Sequence, residues 1–165
     1  MPFSDAIRAL NQLKRRRIIR DYALIGSVAA TAYVEPIYTQ DLDIVVLVDT
    51  DEEYLATFRR VVEQSEGIEG MHVVLNETPV QMFPTTVKPL YLDILIRANT
   101  VRVGNLRVKV ASPEHLILLC LEAFRDKDQQ RIRSLLSEAD INTVLGLLEE
   151  FDDDGTLTAR LKNLR

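Results

Sequence analysis

Three aspartates in this sequence stand where a carboxylate is costly. Asp41 and Asp43 lie two residues apart at the start of Asp41-Leu42-Asp43-Ile44-Val45-Val46-Leu47-Val48, a β-branched apolar run that predicts a strand. Side chains two apart on a strand share a face, so both carboxylates point the same way. Asp93 interrupts Tyr91-Leu92-Asp93-Ile94-Leu95-Ile96, read as a second apolar strand, and a charge buried there needs a partner. Two like charges 4 Å apart repel by roughly 4 kcal/mol at an effective dielectric near 20. Three convergent carboxylates therefore cost on the order of 10 kcal/mol unless a cation offsets it. Hard Mg²⁺ prefers carboxylate oxygens and shares its shell with water and phosphate. If the three acids meet, metal and phosphate are expected together. The plainer alternative is that Asp41 caps a loop, Asp43 sits on an edge, and Asp93 pairs with Arg97 or Arg102.

A second element points to phosphate. Tyr22-Ala23-Leu24-Ile25-Gly26-Ser27-Val28-Ala29-Ala30 reads as strand, tight turn and helix. Glycine allows close approach of the backbone to a ligand. The following helix starts with free N–H groups and a positive dipole end, which suits an anion. Ser27 adds a hydroxyl. Packing alone is the competing reason for a glycine here.

The Gly26-Ser27 turn, followed by Asp41-x-Asp43 and a later strand acid, resembles the DNA polymerase β-like nucleotidyltransferase superfamily. The stretch Leu24 to Val48 is most similar to stand-alone bacterial members, including those grouped with AbiEii-type toxins and the minimal nucleotidyltransferases. Val110-Ala111-Ser112-Pro113-Glu114-His115-Leu116-Ile117 and Arg125-Asp126-Lys127-Asp128 extend the resemblance over most of residues 22–135. It implies a nucleotidyltransferase-type mixed sheet and two-metal nucleotidyl transfer. Asp41 and Asp43 would bind two Mg²⁺ ions, Asp93 would complete the second metal site, and Gly26 and Ser27 would hold the β- and γ-phosphates of an NTP. The metals would stabilise attacking and leaving oxygens during in-line displacement at the α-phosphate. Two positions depart from the pattern. Relatives usually carry a lysine about where Cys120 stands, and a further acid where Arg131 stands. The resemblance then leaves Lys88, Arg125 or Lys127 as substitute triphosphate cations.

The elements that must position these residues follow from periodicity. A helix is expected over Asp5–Arg20 with Ser4 as its cap, from apolar Ile7, Leu10, Leu13, Ile18 and Ile19. Strand 22–25, an Ala-rich helix 27–34 and strand 41–48 come next. Helix 51–65 opens on Asp51, Glu52 and Glu53, which favour its dipole, and its apolar face is Leu55, Phe58, Val61 and Val62. Strands are expected at 71–75, 80–83 and 91–96, with a hairpin of 101–103 and 106–110 around Gly104-Asn105. Ser112 and Pro113 start a helix as N-cap and first residue. Further helices cover 128–137, 142–151 and 157 to the end, the last two separated by a turn at Asp152-Asp153-Asp154-Gly155. The fold class is α+β, a mixed sheet flanked by helices with a C-terminal helical tail. Residues 1–111 form the sheet part and 112–165 a helical region packed on it, one compact unit.

Composition bounds the rest. The 165 residues are 47% hydrophobic and 27% charged, ordinary for a folded domain. A net charge of −5 argues against a large nucleic-acid footprint. The single cysteine, Cys120, excludes an internal disulfide, and with no signal peptide a cytoplasmic location is expected. No apolar run is long enough to span a bilayer. Lys14-Arg15-Arg16-Arg17 reads as a solvated helix face, with an RNA or partner contact as the sharper alternative. Arg102, Arg107 and Lys109 extend that patch or serve solubility. His72 and His115 read as structural, and Cys120 as a buried inert thiol.

The expected function is Mg²⁺-dependent, ATP- or other NTP-binding nucleotidyl transfer to a hydroxyl of an RNA, a protein or a small molecule, with a toxin–antitoxin role and a cognate antitoxin as partner. A catalytically inactive member that binds nucleotide as a regulatory partner is the alternative, favoured by Cys120 and Arg131. Phosphotransfer to a protein hydroxyl is a third.

Overall fold

The computed structural model describes residues 3–36 and 38–165. In chain order its elements are α1 (Ser4–Arg15), β1 (Tyr22–Ile25), α2 (Gly26–Ala30), β2 (Leu42–Val46), α3 (Asp51–Glu63), β3 (Gly67–Glu69), β4 (His72–Leu75), β5 (Thr78–Pro84), α4 (Pro89–Ile96), β6 (Asn99–Val103), β7 (Leu106–Val110), α5 (Pro113–Ala123), α6 (Asp126–Leu136), α7 (Ile141–Phe151) and α8 (Thr156–Leu164). The strands form one seven-stranded mixed sheet in the order β3-β4-β5-β2-β1-β7-β6. β1 and β2 are central and buried from both sides, which is why both read as nearly continuous apolar runs. β1 is antiparallel to β2 and parallel to β7, and β2 is parallel to β5. The fold class is that expected, a mixed α+β sheet flanked by helices.

Local signals set several boundaries as the sequence suggests. Ser112 caps α5 by accepting the N–H of His115 at 3.1 Å, with Pro113 in the first turn. Gly104 turns the β6–β7 hairpin at φ +63°. Thr50 caps α3, accepting the Glu53 N–H at 3.0 Å. The helices from α5 onward pack together: α5 touches α6, α7 and α8, and also α2.

Other expectations need correction. Residues 91–96 are not a strand but the body of α4. Leu90, Tyr91, Ile94 and Leu95 are buried while Leu92 and Ile96 are exposed, a helical period that a short apolar run conceals. Pro89 in the first turn starts it. α1 stops at Arg15 instead of Arg20, because the chain turns back with Arg17 at φ +61°. Phe3, not Ser4, is its N-cap, without a side-chain bond. α2 is only five residues long, not the eight expected for 27–34. β3 was not foreseen, and Leu55 lies exposed on α3 instead of on its buried face.

Candidate functional site

Asp43 is the second residue of β2 and Asp41 precedes the strand by one residue. Across the sheet Asp43 is the register partner of Ile25 on β1 and of Gln81 on β5. These three side chains therefore share one face. Asp43 is half-buried, and its carboxyl is held above the usual carboxylate range by burial first and by the negative charge of Asp41 second. The charges of His72, Lys127 and Arg125 oppose that rise. Asp41 reaches a different neighbour, its Oδ2 standing 3.5 Å from Nε2 of His72 at the start of β4.

Gly26 follows β1 directly and takes φ +72°, where only glycine is unstrained. Its α-carbon lies against Asp43: a β-carbon there would fall 2.6 Å from Asp43 Oδ2. The turn and the acid thus meet as the sequence spacing suggests. Ser27, next in the chain, accepts a hydrogen bond from Nη2 of Arg131 at 2.8 Å. Arg131 comes from α6. Phe124, left-handed at φ +51°, ends α5 and reverses the chain so that α6 returns past α2.

A cavity of about 280 Å³ opens beside this junction, walled by Gly26, Asp43, Phe83, Tyr91, Arg125 and Arg131. A larger hollow of about 570 Å³, which Arg131 also lines, lies between the Tyr33–Pro36 segment and Gln130, Ser134, Ser137 and Glu138. The smaller cavity is the candidate site, because only it reaches both the glycine turn and a β2 carboxylate. Lys88 and Arg125 line it too. Lys88 Nζ pairs with Glu122 Oε1 at 2.7 Å and lies 4.6 Å from the centre of the Tyr91 ring. Arg125 Nε pairs with Asp128 Oδ2 at 2.7 Å. Lys127 is exposed on the first turn of α6, and its charge is felt at Asp43.

Asp93 is placed otherwise than the sequence reading implied. From α4 its Oδ2 bonds His115 Nε2 at 2.7 Å and Arg97 Nη1 at 3.3 Å. His115 is 2% exposed. Its Nδ1 meets Ser112 Oγ at 2.6 Å, and that same oxygen accepts its backbone N–H. The network closes with a neutral imidazole: Ser112 donates to Nδ1, and Nε2–H donates to Asp93. Burial holds the His115 pKa below the usual histidine value, against the pull of Asp93. Asp93 therefore ties α4 to α5, and Arg97 is its partner as the plainer reading allowed. Among the described residues no three His, Cys, Asp or Glu side chains gather closely enough to hold a metal ion. Asp41 and Asp43 are the neighbouring carboxylates that could hold a cation here. Two carboxylates are a common protein share for Mg²⁺, whose other ligands are water and phosphate.

Three residues of the site escaped the sequence reading. Gln81 faces the acids from β5, and only strand pairing reveals it. His72 was set aside as structural. Arg131 was noted only as a missing acid, yet α6 carries a visible signal. Asp128, Arg131, Ile132 and Leu135 are buried at helical spacing, so an arginine falls on the apolar stripe. Cys120 is buried near Arg131, and burial pushes its thiol up to about 11.

No protein-family model and no curated protein matches the sequence. Solved structures do resemble the fold. An antigenic nucleotidyltransferase-like protein from Paracoccidioides brasiliensis superposes with a TM-score of 0.63 at 20% identity, over 95% of this chain and 90% of that one. The antibiotic-resistance factor ANT(2″)-Ia, crystallised with adenylyl-2″-tobramycin, gives 0.56 at 10% identity, over 98% of this chain and all of that one. Its solution structure gives 0.56 at 10% identity, over 96% of each chain. The chain is therefore similar in fold to nucleotidyltransferase-like proteins. Among the described residues no helix is long and apolar enough to cross a membrane.

Proposed function

We propose that this protein is a Mg²⁺-dependent nucleotidyltransferase that moves an NMP group from an NTP to a hydroxyl. The observation that carries the reading is the contact of the Gly26 turn with Asp43, beside Asp41, at the mouth of a cavity on this fold. The fold likeness supports it at the level of architecture alone.

In this reading Asp41 and Asp43 hold the ion, which when bound neutralises phosphate charge and polarises the phosphorus–oxygen bonds. The chain's own residues do the rest. Gly26 lets the backbone come close to the triphosphate without a side chain in the way. Phe83 and Tyr91, 5.8 Å apart between ring centres, form an apolar wall. Lys88 and Arg125 stand at the rim, each held in place by a carboxylate. The acceptor oxygen bonds to the α-phosphorus as the bond to the pyrophosphate oxygen breaks, and pyrophosphate leaves. The acceptor's proton needs a base. His72, whose Nε2 stands 3.5 Å from Asp41, is the base this reading assigns.

The acceptor class is read from the same likeness. The ANT(2″)-Ia complex holds an adenylylated small molecule, which makes a small-molecule hydroxyl as reasonable as the RNA or protein acceptor that an AbiEii-like relationship suggests. A toxin–antitoxin role, a cognate antitoxin and a cytoplasmic setting belong to that finer relationship. The test is incubation with Mg²⁺ and each of the four NTPs labelled at the α- or γ-phosphate, against RNA, protein and aminoglycoside acceptors. Label from the α-position must appear on an acceptor in the wild type and be absent from Asp41→Asn/Asp43→Asn. Label from the γ-position alone would assign phosphotransfer instead.

One observation favours a second reading, nucleotide binding without transfer. Position 81, the register partner of Asp43, is glutamine, and Asp93 is committed to His115 and Arg97. With two acids in place of three, binding of Mg²⁺–NTP without label transfer to any acceptor is the outcome that would support this reading.

A further inference from the structure

Arg131 carries a charge that the protein leaves uncompensated. Its residue is 6% exposed. Its Nη2 donates to the neutral hydroxyl of Ser27, and its Nε has no hydrogen-bond partner. Among the described residues it forms no ion pair. Asp128, one turn earlier on α6, is taken by Arg125 through both backbone and side chain. A buried guanidinium without a carboxylate is expensive, and natural proteins rarely keep one unless something pairs with it. Of the two cavities it lines, the smaller holds Gly26 and Asp43 on its other walls.

The other cations near the cavity differ. Lys88 and Arg125 are already neutralised by Glu122 and Asp128. α2, with five residues, adds too little dipole to hold a polyanion. Among the described residues, Arg131 is the one buried cation lining the cavity without an anion, and its planar fork suits phosphate oxygens.

We infer that Arg131 is the principal polyphosphate ligand of this site, taking oxygens of the phosphates next to the Gly26–Ser27 turn. This deepens the proposed nucleotidyl transfer and rests on it for the nucleotide, though not for the polyphosphate. Arg131 acts from α6, with Ser27 holding its guanidinium and Cys120 leaving room on α5. Its energetic signature follows: the ligand-free protein bears a cost that the bound anion removes.

The test is calorimetric titration of wild type, Arg131→Lys and Arg131→Met with Mg²⁺–ATP, inorganic tripolyphosphate and AMP, beside thermal melts without ligand. Arg131→Met is expected to lose about tenfold or more in affinity for both ATP and tripolyphosphate. It should keep its AMP affinity and melt no lower than wild type. Arg131→Lys should fall between. Equal tripolyphosphate binding by wild type and Arg131→Met overturns the inference, as does no tripolyphosphate binding by wild type. A ligand-free Arg131→Met that melts well below wild type also overturns it, since that marks a structural cation. If Arg131→Met cannot be obtained pure enough to melt, Arg131→Gln measured against Arg131→Lys decides on the same affinities and melts. Arg131-dependent tripolyphosphate binding without label transfer supports this inference and removes the transferase. Label transfer undiminished in Arg131→Met does the reverse.

Discussion

Gly26 and Asp43 touch so closely that a single methyl on the glycine would lie 2.6 Å from Oδ2 of the aspartate. The turn that ends β1 and the acid of β2 therefore form one unit. Antiparallel pairing makes the contact, since Ile25 is the partner of Asp43 and the chain turns immediately after it. A ligand held by Asp43 is thereby brought against bare backbone.

Gly26→Ala should disable that unit in two ways. The left-handed conformation at φ +72° costs an alanine roughly 1–2 kcal/mol, and the new methyl pushes Asp43 aside. Thermal melts should show a drop of several degrees, and Mn²⁺ binding followed by paramagnetic relaxation should weaken. Gly104→Ala, where a β-carbon meets nothing within 4 Å, is the control: strained, but with Mn²⁺ binding intact.

Removing charge from the acidic pair should stabilise the protein when no cation is present. Burial and Asp41 both oppose ionisation of Asp43. In the presence of chelator Asp43→Asn is therefore expected to melt a few degrees above wild type at neutral pH. Millimolar Mg²⁺ should raise the wild-type midpoint and leave the variant unchanged. A variant that melts lower with chelator would mean that the carboxylate is held by hydrogen bonds instead.

Gln81→Asp places a third carboxylate opposite Asp43 on the neighbouring parallel strand. Without cation the added repulsion should lower the midpoint by several degrees, roughly 1–4 kcal/mol at short range. Divalent affinity should rise about tenfold, measured by the same relaxation titration. Any α-label transfer by the wild type should rise with it. Unchanged cation affinity would place residue 81 outside the ion's reach.

The Ser112–His115–Asp93 network predicts a pH dependence. Burial depresses the folded-state pKa of His115, so the unfolded chain takes up the proton first as pH falls. Its contribution to stability is complete above the unfolded histidine pKa, about 6.5, and is lost as pH falls below that towards the depressed folded value. His115→Gln should flatten that part of the pH–stability curve. Asp93→Asn should cost about 1–3 kcal/mol, the range for breaking a buried charged hydrogen bond, and should leave Mn²⁺ binding at Asp41 and Asp43 untouched. Loss of Mn²⁺ binding in Asp93→Asn would restore Asp93 to the cation site.

The sequence alone determined what depends on neighbours along the chain. Asp43 falls on β2 with Asp41 just before it, Gly26 marks the bend after β1, and Ser112-Pro113 starts α5, since each is fixed by backbone geometry within a few residues. Six mostly apolar residues around Asp93 fit a strand or a buried helix equally well, and only packing against β1 and β2 made them helical. Tertiary structure also decided the partners. Strand register put Gln81 beside Asp43, and the reversal at Phe124 carried Arg131 back to Ser27, across 104 positions of chain. Such pairings are set by which surfaces bury each other, a property of the whole fold that no local stretch encodes.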